Sequence, residues 1–386
     1  MKLGFVFDTR FLKYNDNYYC TNLSIELLTR RYLTVFDEMV VVGRCKDVSE
    51  NPIGRYVKAN NEKIRFQCIP DESPIKRIVN FKKNSKKIES VIKECDAIIC
   101  RGWRGAFISK KLKKNYLIEV VNCAWDSYWN HGFWGKIVAP IMFWMRKITT
   151  YDAPYVIYVT QKFLQKRYPT QGKKAAISDV KLEEFDETVL TKRISKIESK
   201  GKDSLIHLGT AAAVNVPFKG QRFVIGALAL LKERGMTNYI YEIAGSGDNT
   251  KLRQYANQKG VIDQLIFKGS IMHDNMNEWY DSLDIYIQPS LQEGLPRAVI
   301  EAMSRGLPCY GANTGGIPEL LEDKCVSNNN HNLEKKFANM LADYNKKDAI
   351  KDAIRNYEEA KKYRSSVLDY ELFCFLKKFA DGCRKE

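Results

Sequence analysis

Short runs of apolar residues recur along the chain and are separated by longer stretches with a helical pattern. Within each run the apolar residues are continuous rather than alternating with polar ones, which is typical of strands buried on both faces of a parallel sheet. Strands that alternate with helices predict two doubly wound α/β domains. The predicted strands are Leu3–Phe7, Met39–Val42, Ile64–Cys68, Ala97–Cys100, Leu117–Val121 and Val156–Val159 in the first half, and Ser204–Leu208, Tyr239–Ile243, Leu265–Phe267, Ile285–Gln288 and Leu307–Tyr310 in the second.

A break in this pattern divides the chain. The segment YPTQGKK contains Pro169 and Gly172, and the segment TKRISKIESKGKD is highly charged with few apolar residues; both are typical of surface connections. We therefore predict a first domain at residues 1–170, a connection at 171–202 and a second domain at 203–362. Residues 363–386 are predicted to form an aromatic-rich helix that packs back toward the first domain.

The balance of charges adds a constraint on partners. A formal net charge of +16 favours nucleotide phosphates, nucleic acid or an acidic lipid surface, although a lysine-rich solvated surface is an equally weighted alternative. Nucleic acid is disfavoured because no basic stripe interleaved with aromatic residues follows one element. The segment GFWGKIVAPIMFWMRKIT, residues 132–149, combines aromatic residues with lysine and arginine. It is typical either of a helix at a membrane interface or of a buried helix beside the cleft.

The spacing of cysteine and histidine residues argues against disulfide bonds and metal sites. The 10 cysteines include no C-x-x-C pair and the 4 histidines show no ligand spacing, so reduced thiols and no metal site are predicted. The N-terminus MKLGFVFDTRF is typical of a first strand rather than a signal peptide. No apolar stretch approaches the roughly 18–20 residues of a membrane span. We expect a cytoplasmic protein, with the inner face of the cell membrane as a further setting.

The most informative segment, PSLQEGLPRAVIEAMSRGLPCYGANTGGIPELLE, covers residues 289–322. A loop with Glu293 and Gly294 follows a predicted strand, and a helix is predicted to start at Pro296 and stop at Gly306. Free backbone N–H groups and the positive end of the helix dipole converge at such a helix start and form an anion site.

A diphosphate is therefore predicted near the backbone of Gly294 and Leu295. Glu301 lies about 7.5 Å along the helix axis from Pro296, where its carboxylate clears the phosphates and can accept hydrogen bonds from ribose hydroxyls. Glu293, in the loop, can do the same for the hydroxyls of a sugar on the other side of the diphosphate.

The spacing of Glu293 and Glu301 resembles the E-x7-E signature of retaining GT-B glycosyltransferases of family 4, the glycosyl transferases group 1. The resemblance covers residues 203–322 and implies two Rossmann-like domains that face a cleft, with a nucleotide sugar bound by the second domain. Further motifs occur in the order of the family: LIHLGT, FKGQRFVIGALALL, YEIAGSGD, LIFKGSI, WYDSLDIYIQPS, EGLPRAVIEAM and TGGIPELL.

The resemblance also implies residue roles. Lys219 would contact the leaving diphosphate and Glu293 the transferred sugar, which makes these two the expected catalytic residues. The expected donor-binding residues are Gly209, Gly245, Gly247, Lys268, Gly294, Leu295, Arg297, Glu301, Gly315 and Gly316.

One departure from the family concerns the cations at the diphosphate. Many members carry an arginine shortly before the lysine, whereas the segment GTAAAVNVPFKG has no basic residue before Lys219. Arg297 or Arg222 are the predicted substitutes, and a non-catalytic homologue is the alternative.

The first half carries weaker signals for an acceptor. In RGWRG, Arg101 and Arg104 follow a predicted strand and are candidates for holding an acceptor phosphate, with packing as the alternative. Asp126 and His131 are the titratable candidates for polarising an acceptor, with a surface or core histidine as the alternative for His131. The stretch DTRFLKYNDNYYCTNLS is predicted to be a loop.

Together these features predict a retaining transferase that moves a hexose from a nucleoside-diphosphate sugar, with UDP as the preferred nucleotide, to an acceptor hydroxyl. The resemblance implies independence of metals and of other cofactors. A glycan or a lipid-linked saccharide is the expected acceptor, in bacterial surface-polysaccharide or lipid-linked glycan synthesis, with peripheral contact to an anionic membrane. The alternatives are a sugar-nucleotide epimerase of the same fold and a binding protein without turnover.

Overall fold

The computed structural model describes residues 1–20, 25–52, 56–73, 76, 79–130, 132–180, 182, 185–201, 203–328 and 330–384. Strands alternate with helices along the chain, and the strands form two sheets. This arrangement confirms the predicted α/β fold with two Rossmann-like domains facing a cleft. The first sheet contains β1 Lys2–Tyr14, β2 Asn17–Cys20, β3 Glu38–Asp47, β4 Val57–Lys58, β5 Ile64–Pro70, β6 Ala97–Cys100, β7 Tyr116–Val120, β8 Tyr155–Tyr158 and β9 Lys173–Ala176. The second contains β10 Ile206–Ala211, β11 Tyr239–Ala244, β12 Leu265–Gly269, β13 Ile285–Gln288 and β14 Cys309–Gly311.

Helices connect these strands. They are α1 Ile25–Arg31, α2 Phe81–Glu94, α3 Trp103–Lys111, α4 Ala124–Trp129, α5 Gly132–Tyr151, α6 Phe163–Arg167, α7 Glu187–Ser199, α8 Gln221–Glu233, α9 Thr250–Gln258, α10 Met276–Ser282, α11 Arg297–Ser304, α12 Ile317–Leu320, α13 Leu333–Ala342, α14 Lys346–Ala360 and α15 Ser365–Arg384. Short 3₁₀ turns lie at Pro217–Lys219, Ile262–Gln264, His273–Asn275, Asp323–Cys325 and Lys361–Tyr363. None of the helices in the described ranges combines the length and the apolar character that crossing a bilayer requires.

The order of the strands creates one crevice in each sheet. The second sheet runs β12-β11-β10-β13-β14 with parallel pairing throughout, so the direction of strand addition reverses between β10 and β13. In the first sheet β1 pairs in parallel with β3 on one side and with β6 on the other. Loops at the carboxyl ends of such strand pairs diverge and leave room for a ligand.

The continuous apolar runs are buried as their pattern predicts. Every residue of β6, β7, β8 and β13 is buried, because helices cover the sheet faces and leave these central strands without a solvent side.

Residues 8–20 of the stretch after the first predicted strand are not a loop, which corrects the sequence prediction, whereas residues 21–24 lie outside the described ranges. Strand β1 continues to Tyr14, the chain turns at Asn15 with φ of 51°, and β2 returns antiparallel to it. Tyr18 of β2 stacks on Phe66 at 4.3 Å between ring centroids. Asparagine tolerates the left-handed conformation and replaces the glycine that such a turn commonly uses.

The cysteine prediction is also wrong in one respect. A disulfide joins Cys45 of β3 to Cys68 of β5, whereas reduced thiols were predicted throughout. These strands pair in parallel with Gly43 opposite Cys68, so the two sulfur atoms meet across neighbouring strands. Sequence spacing could not reveal this pair because 23 residues separate the two cysteines.

Two elements from beyond residue 170 pack on the first domain. Strand β9 pairs with β8, so the first sheet takes in residues beyond 170 that the sequence assigned to the connection. The C-terminal helix α15 lies against the first domain, where the ring of Phe379 is 5.1 Å from that of Tyr155 and 6.4 Å from that of Phe36.

Candidate functional site

A cavity of about 1440 Å³ lies between the two domains. Its walls include Phe7 within β1 and Arg101 directly after β6, and Ala211 and Glu293 at or after the carboxyl ends of β10 and β13. The crevices of the two sheets therefore face each other across one shared space. Clefts with this position bind ligands in many doubly wound proteins.

Lys219 and Glu293 meet at the wall formed by the second domain. The ammonium Nζ of Lys219 lies 2.8 Å from Oε1 of Glu293, and both side chains are largely shielded from solvent. Lys219 comes from the 3₁₀ turn after β10 and Glu293 from the loop after β13, so the reversal of strand order brings them together. A cation and an acceptor of hydrogen bonds thus stand side by side in the cavity.

A buried network holds Glu293 in place. Oε1 of Glu293 also accepts a hydrogen bond of 3.0 Å from Nε2 of Gln288, whose Oε1 accepts one of 2.8 Å from the hydroxyl of Tyr286. Burial raises the pKa of Tyr286 well above its ordinary value, so this hydroxyl remains a donor. Sequence analysis missed Gln288, although its position as the last residue of a strand beside the loop was a usable signal.

The predicted helix at the cleft is present. Helix α11 begins at Arg297 with Pro296 as its N-cap and ends before Gly306, which has φ of 62°. The first N–H groups of a helix have no intrahelical acceptor, and those of α11 lie where Pro296, Arg297 and Ala298 line the cavity. An anion can therefore bind at this helix start, as the sequence predicted.

Glu301 also lines the cavity, one turn further along α11. Its Oε2 accepts a hydrogen bond of 3.0 Å from the hydroxyl of Tyr280 on helix α10. Burial, and then the charge of Glu301, raise the pKa of Tyr280 well above its ordinary value. The tyrosine thus stays protonated and orients one carboxylate oxygen while the other remains available.

The paired glycines after β14 pack against the loop of Glu293 rather than line the cavity. A Cβ on Gly315 would lie 2.4 Å from the carbonyl oxygen of Glu293, and the N–H of Gly316 donates to the carbonyl of Gly294. A Cβ on Gly294 itself would lie 2.2 Å from the carbonyl oxygen of Val121 in the first domain. These glycines are needed for close backbone contact, which shapes the loop that carries Glu293.

Other predicted donor residues lie away from the cavity wall. Gly209 is buried within β10, where a Cβ would strike Leu283, and Gly245 and Gly247 lie against the backbone of Ala212 and the side chain of Asn215. Lys268 pairs with Glu242 at 3.3 Å. The structure thus gathers Lys219, Glu293, Gly294, Leu295, Arg297 and Glu301 in the cavity and leaves these four outside its lining.

Of the two predicted substitutes for the missing arginine, only Arg297 lines the cavity. The guanidinium of Arg222 lies 4.6 Å from the ring centroid of Phe223, on the helix that follows Lys219. Arg297 is exposed and is the first residue of α11, so its charge stands at the predicted anion site.

On the opposite wall, Arg101 and Arg104 both line the cavity. Arg101 is buried and its Nε donates to Glu119, which also accepts hydrogen bonds of 2.9 and 3.0 Å from the hydroxyl of Tyr32. Burial alone would lower the pKa of Arg101, but the charge of Glu119 raises it. Arg104 lies 4.5 Å above the ring of Phe81. The guanidinium of Arg101 is thus committed to an internal ion pair, which leaves it less free for an acceptor than the sequence suggested.

Only one of the two titratable acceptor candidates, Asp126, belongs to the described residues. Asp126 lies outside the cavity lining, where burial raises the pKa of its carboxyl and the charge of Arg167 opposes that shift. His131 lies outside the described residues. Two further residues line the cavity: His273, in a 3₁₀ turn, to which sequence analysis assigned no role, and Arg146 of helix α5, which sequence analysis placed only in the segment 132–149.

Comparisons with known proteins agree on one family. Residues 192–357 match the glycosyl transferases group 1. Protein CapJ of Staphylococcus aureus is 36% identical over 326 residues, which cover 82% of this chain and 80% of CapJ. The structure of Anabaena HepE in complex with UDP aligns with a TM-score of 0.66 and 16% identity, over 98% of this chain and 100% of HepE. WaaG, a glycosyltransferase involved in lipopolysaccharide biosynthesis, aligns with a TM-score of 0.60 and 15% identity, over 98% of each chain.

Proposed function

The chain belongs to the glycosyl transferases group 1 and is a glycosyltransferase with a GT-B fold, and from this premise we propose that it is a retaining hexosyltransferase of family 4 that uses a UDP-sugar. The donor would bind in the interdomain cavity with its diphosphate at the start of helix α11. Its acceptor would be a hydroxyl of a glycan or of a lipid-linked saccharide in the synthesis of a bacterial surface polysaccharide.

One observation carries this proposal. Lys219, Arg297, Glu293 and Glu301 line the same wall of the cavity, two cations with two carboxylates, around the free N–H groups of a helix start. Cations and backbone donors suit a diphosphate, and carboxylates suit the hydroxyls of the sugars on either side of it. The complex of HepE with UDP, in a protein of the same fold, supports UDP as the nucleotide.

The reaction would proceed by attack on the same face from which the diphosphate leaves. The bond between the anomeric carbon and the diphosphate oxygen breaks, and a bond to the acceptor oxygen forms. A phosphate oxygen of the donor takes the acceptor proton. Lys219 and the start of α11 would stabilise the charge that develops on the leaving diphosphate, because preorganised charges in a shielded site need no reorganisation. Neither metal ion nor other cofactor is invoked.

Arg297 would take the place of the second cation that many family members carry. It can reach a diphosphate at the helix that it begins, because it lines the same cavity as Lys219. A guanidinium binds phosphate oxygens in a bidentate manner, so its different location along the chain does not weaken its chemistry.

Glu301 provides a first test through donor affinity. Glu301→Ala is expected to raise KM for the nucleotide sugar roughly 30-fold, because two hydrogen bonds from ribose to a charged acceptor contribute about 2 kcal/mol. Steady-state kinetics with released UDP as readout measures this effect. Tyr280→Phe, which removes only the hydrogen bond that orients Glu301, is expected to act in the same direction and less strongly.

Glu278→Ala is the matched control, since Glu278 is an exposed glutamate on helix α10. It should leave KM within about twofold of the native value, as expected for a solvated surface carboxylate. An unchanged donor KM in Glu301→Ala would contradict the proposed ribose contact. UDP-glucose, UDP-N-acetylglucosamine and GDP-mannose, tested side by side for nucleotide release, identify the donor.

The outer face of helix α5 supports a membrane setting for this reaction. Phe133, Trp134, Ile137, Ile141, Trp144 and Ile148 are exposed and follow one face of the helix. The amines of Lys136 and Lys147 lie 5.6 and 5.1 Å from the rings of Trp129 and Trp144. A stripe of tryptophan and aliphatic residues with adjacent lysines suits the headgroup region of an anionic bilayer. We propose that α5 holds the enzyme at the inner face of the cell membrane.

Vesicle binding tests this contact. Trp134→Ser combined with Trp144→Ser is expected to lower the partition coefficient on phosphatidylserine-containing vesicles at least tenfold, because two large apolar side chains no longer enter the interface. Ile354→Ser, at another exposed apolar residue, should leave sedimentation with vesicles unchanged. A native protein that stays in the supernatant with anionic vesicles would contradict the membrane setting.

A further inference from the structure

The inner face of helix α5 carries a charge that no part of the donor site uses. The side chain of Arg146 is only 8% exposed, yet it lines the interdomain cavity. Its Nη1 atom is buried and has no hydrogen-bond partner in the described part of the chain. Burial is the main cause that lowers the pKa of Arg146, and the neighbours that act most strongly against it are tyrosines and cysteines of its own domain rather than carboxylates.

Other arginines of the same cavity have carboxylate partners. Arg30 lies 3.4 Å from Asp369, Arg44 lies 2.8 Å from both Asp8 and Asp71, and Arg101 pairs with Glu119. Arg146 differs from them because it is buried without such a partner. Burial lowers the pKa of its guanidinium, but arginine remains charged in proteins.

A buried charge without a counterion destabilises the folded protein, so its presence needs a reason. An anion that enters the cavity beside this side chain would balance the charge of Arg146. The position of Arg146 on the first domain separates it from the cations that the proposed function assigns to the donor diphosphate, which lie on the second. The group that it binds therefore belongs to the other substrate.

We propose that Arg146 anchors an anion subsite in the acceptor half of the cavity, which binds a phosphate or diphosphate of the acceptor. This inference rests on the proposed function and specifies its acceptor as a phosphorylated one. The planar guanidinium fits two phosphate oxygens, and the neighbouring wall already carries Arg104. The outer face of the same helix bears the apolar stripe. One helix would therefore contact the membrane that holds the lipid and bind the phosphate of that lipid in the cavity.

Calorimetric titration of sodium pyrophosphate into protein saturated with UDP tests the subsite. UDP occupies the donor site, so the remaining pyrophosphate binding reports on the acceptor half. Arg146→Met is expected to weaken pyrophosphate binding at least tenfold and to leave the affinity for UDP unchanged, while Arg146→Lys retains an intermediate affinity. Arg30→Met is the matched control, since its charge is already paired with Asp369, and it should bind pyrophosphate within about threefold of the native protein.

Thermal unfolding distinguishes a binding role from a structural one. Removal of an uncompensated buried charge should leave the Tm of Arg146→Met equal to or above that of the native protein. A Tm lower by more than about 5 °C would instead assign Arg146 a structural role and overturn the proposal.

The outcomes separate the two levels of the hypothesis. Native protein that fails to bind UDP refutes the proposed function. Native protein that binds UDP but binds no pyrophosphate, or binds it equally in Arg146→Met, overturns the subsite alone. A parallel titration with decyl diphosphate identifies the source of the phosphate: tighter binding than pyrophosphate indicates a lipid-linked acceptor, and equal binding dependent on Arg146 indicates a water-soluble one.

Discussion

Lys219→Ala is expected to lower kcat by roughly 10²–10³-fold, because a preorganised cation at the leaving diphosphate acts mainly in the transition state. The ammonium of Lys219 lies 2.8 Å from the carboxylate of Glu293, to which the proposed function assigns the transferred sugar. With the lysine gone, Arg297 and the start of α11 would carry the developing charge alone. Release of UDP from the identified donor, measured with and without acceptor, gives the rate.

Lys251→Ala provides the control for this loss, since Lys251 is an exposed lysine of helix α9. It should retain the native kcat and KM. A kcat for Lys219→Ala within threefold of the native value would refute the catalytic assignment of Lys219. Lys219→Ala should still bind UDP, because Glu301 and the helix start remain, so a complete loss of UDP binding would also contradict a role confined to the transition state.

Glu119→Leu is expected to reduce the free energy of unfolding by roughly 3–5 kcal/mol, because two buried guanidinium groups lose the carboxylate that pairs with them. Glu119 is 1% exposed and accepts hydrogen bonds from Tyr32 and Arg101, while Arg31 lies 3.6 Å away. Urea unfolding followed by circular dichroism measures the change. The effect concerns the first domain, whose β7 carries Glu119 next to the cavity wall.

The ion pairing of Glu119 with Arg101 and Arg31 also predicts that the stability of the protein depends on pH. Burial would raise the pKa of Glu119, but the charges of Arg101 and Arg31 outweigh it and hold the pKa below its usual value. A carboxyl with a lowered folded-state pKa contributes stability above its unfolded pKa and loses it as pH falls through the folded value. The native protein should therefore lose stability below about pH 4, and Glu119→Leu should lack this component.

A double variant and a surface control sharpen the stability test. Arg101→Met combined with Glu119→Leu should recover part of the stability, since an apolar pair replaces most of the buried charges. Glu94→Leu breaks the exposed pair of Arg65 with Glu94 and should cost at most about 1 kcal/mol. Equal losses in Glu94→Leu and Glu119→Leu would contradict the role assigned to the buried cluster.

Local sequence patterns predicted the central strands and the helix at the cleft closely. The predicted bounds Ala97–Cys100 and Ile285–Gln288 agree with the structure, because strands buried on both faces require continuous apolar residues. The start of α11 beside Pro296 and its end before Gly306 also agree, because proline and glycine act through the backbone angles of the residues themselves.

Local sequence patterns did not predict the short strands or the contacts between residues that are distant in the sequence. The short strands Asn17–Cys20, Val57–Lys58 and Lys173–Ala176 escaped prediction because none contains more than two consecutive aliphatic residues. Lys268 was expected at the donor, but it pairs with Glu242. This pairing depends on how the strands are arranged in the sheet, which the motif around Lys268 does not specify.

The sequence alone determined the α/β class, the strand–loop–helix unit around Glu293 and Glu301, and the resemblance to one family, because these depend on residues close together in the chain. Only the tertiary structure decided that Lys219 contacts Glu293, which lies 74 positions away in the sequence. It also decided that Arg101 forms an ion pair with Glu119 and that Arg146 lines the cavity. The physical reason is that strand order and helix rotation set which side chains converge, and both follow from packing of the whole domain.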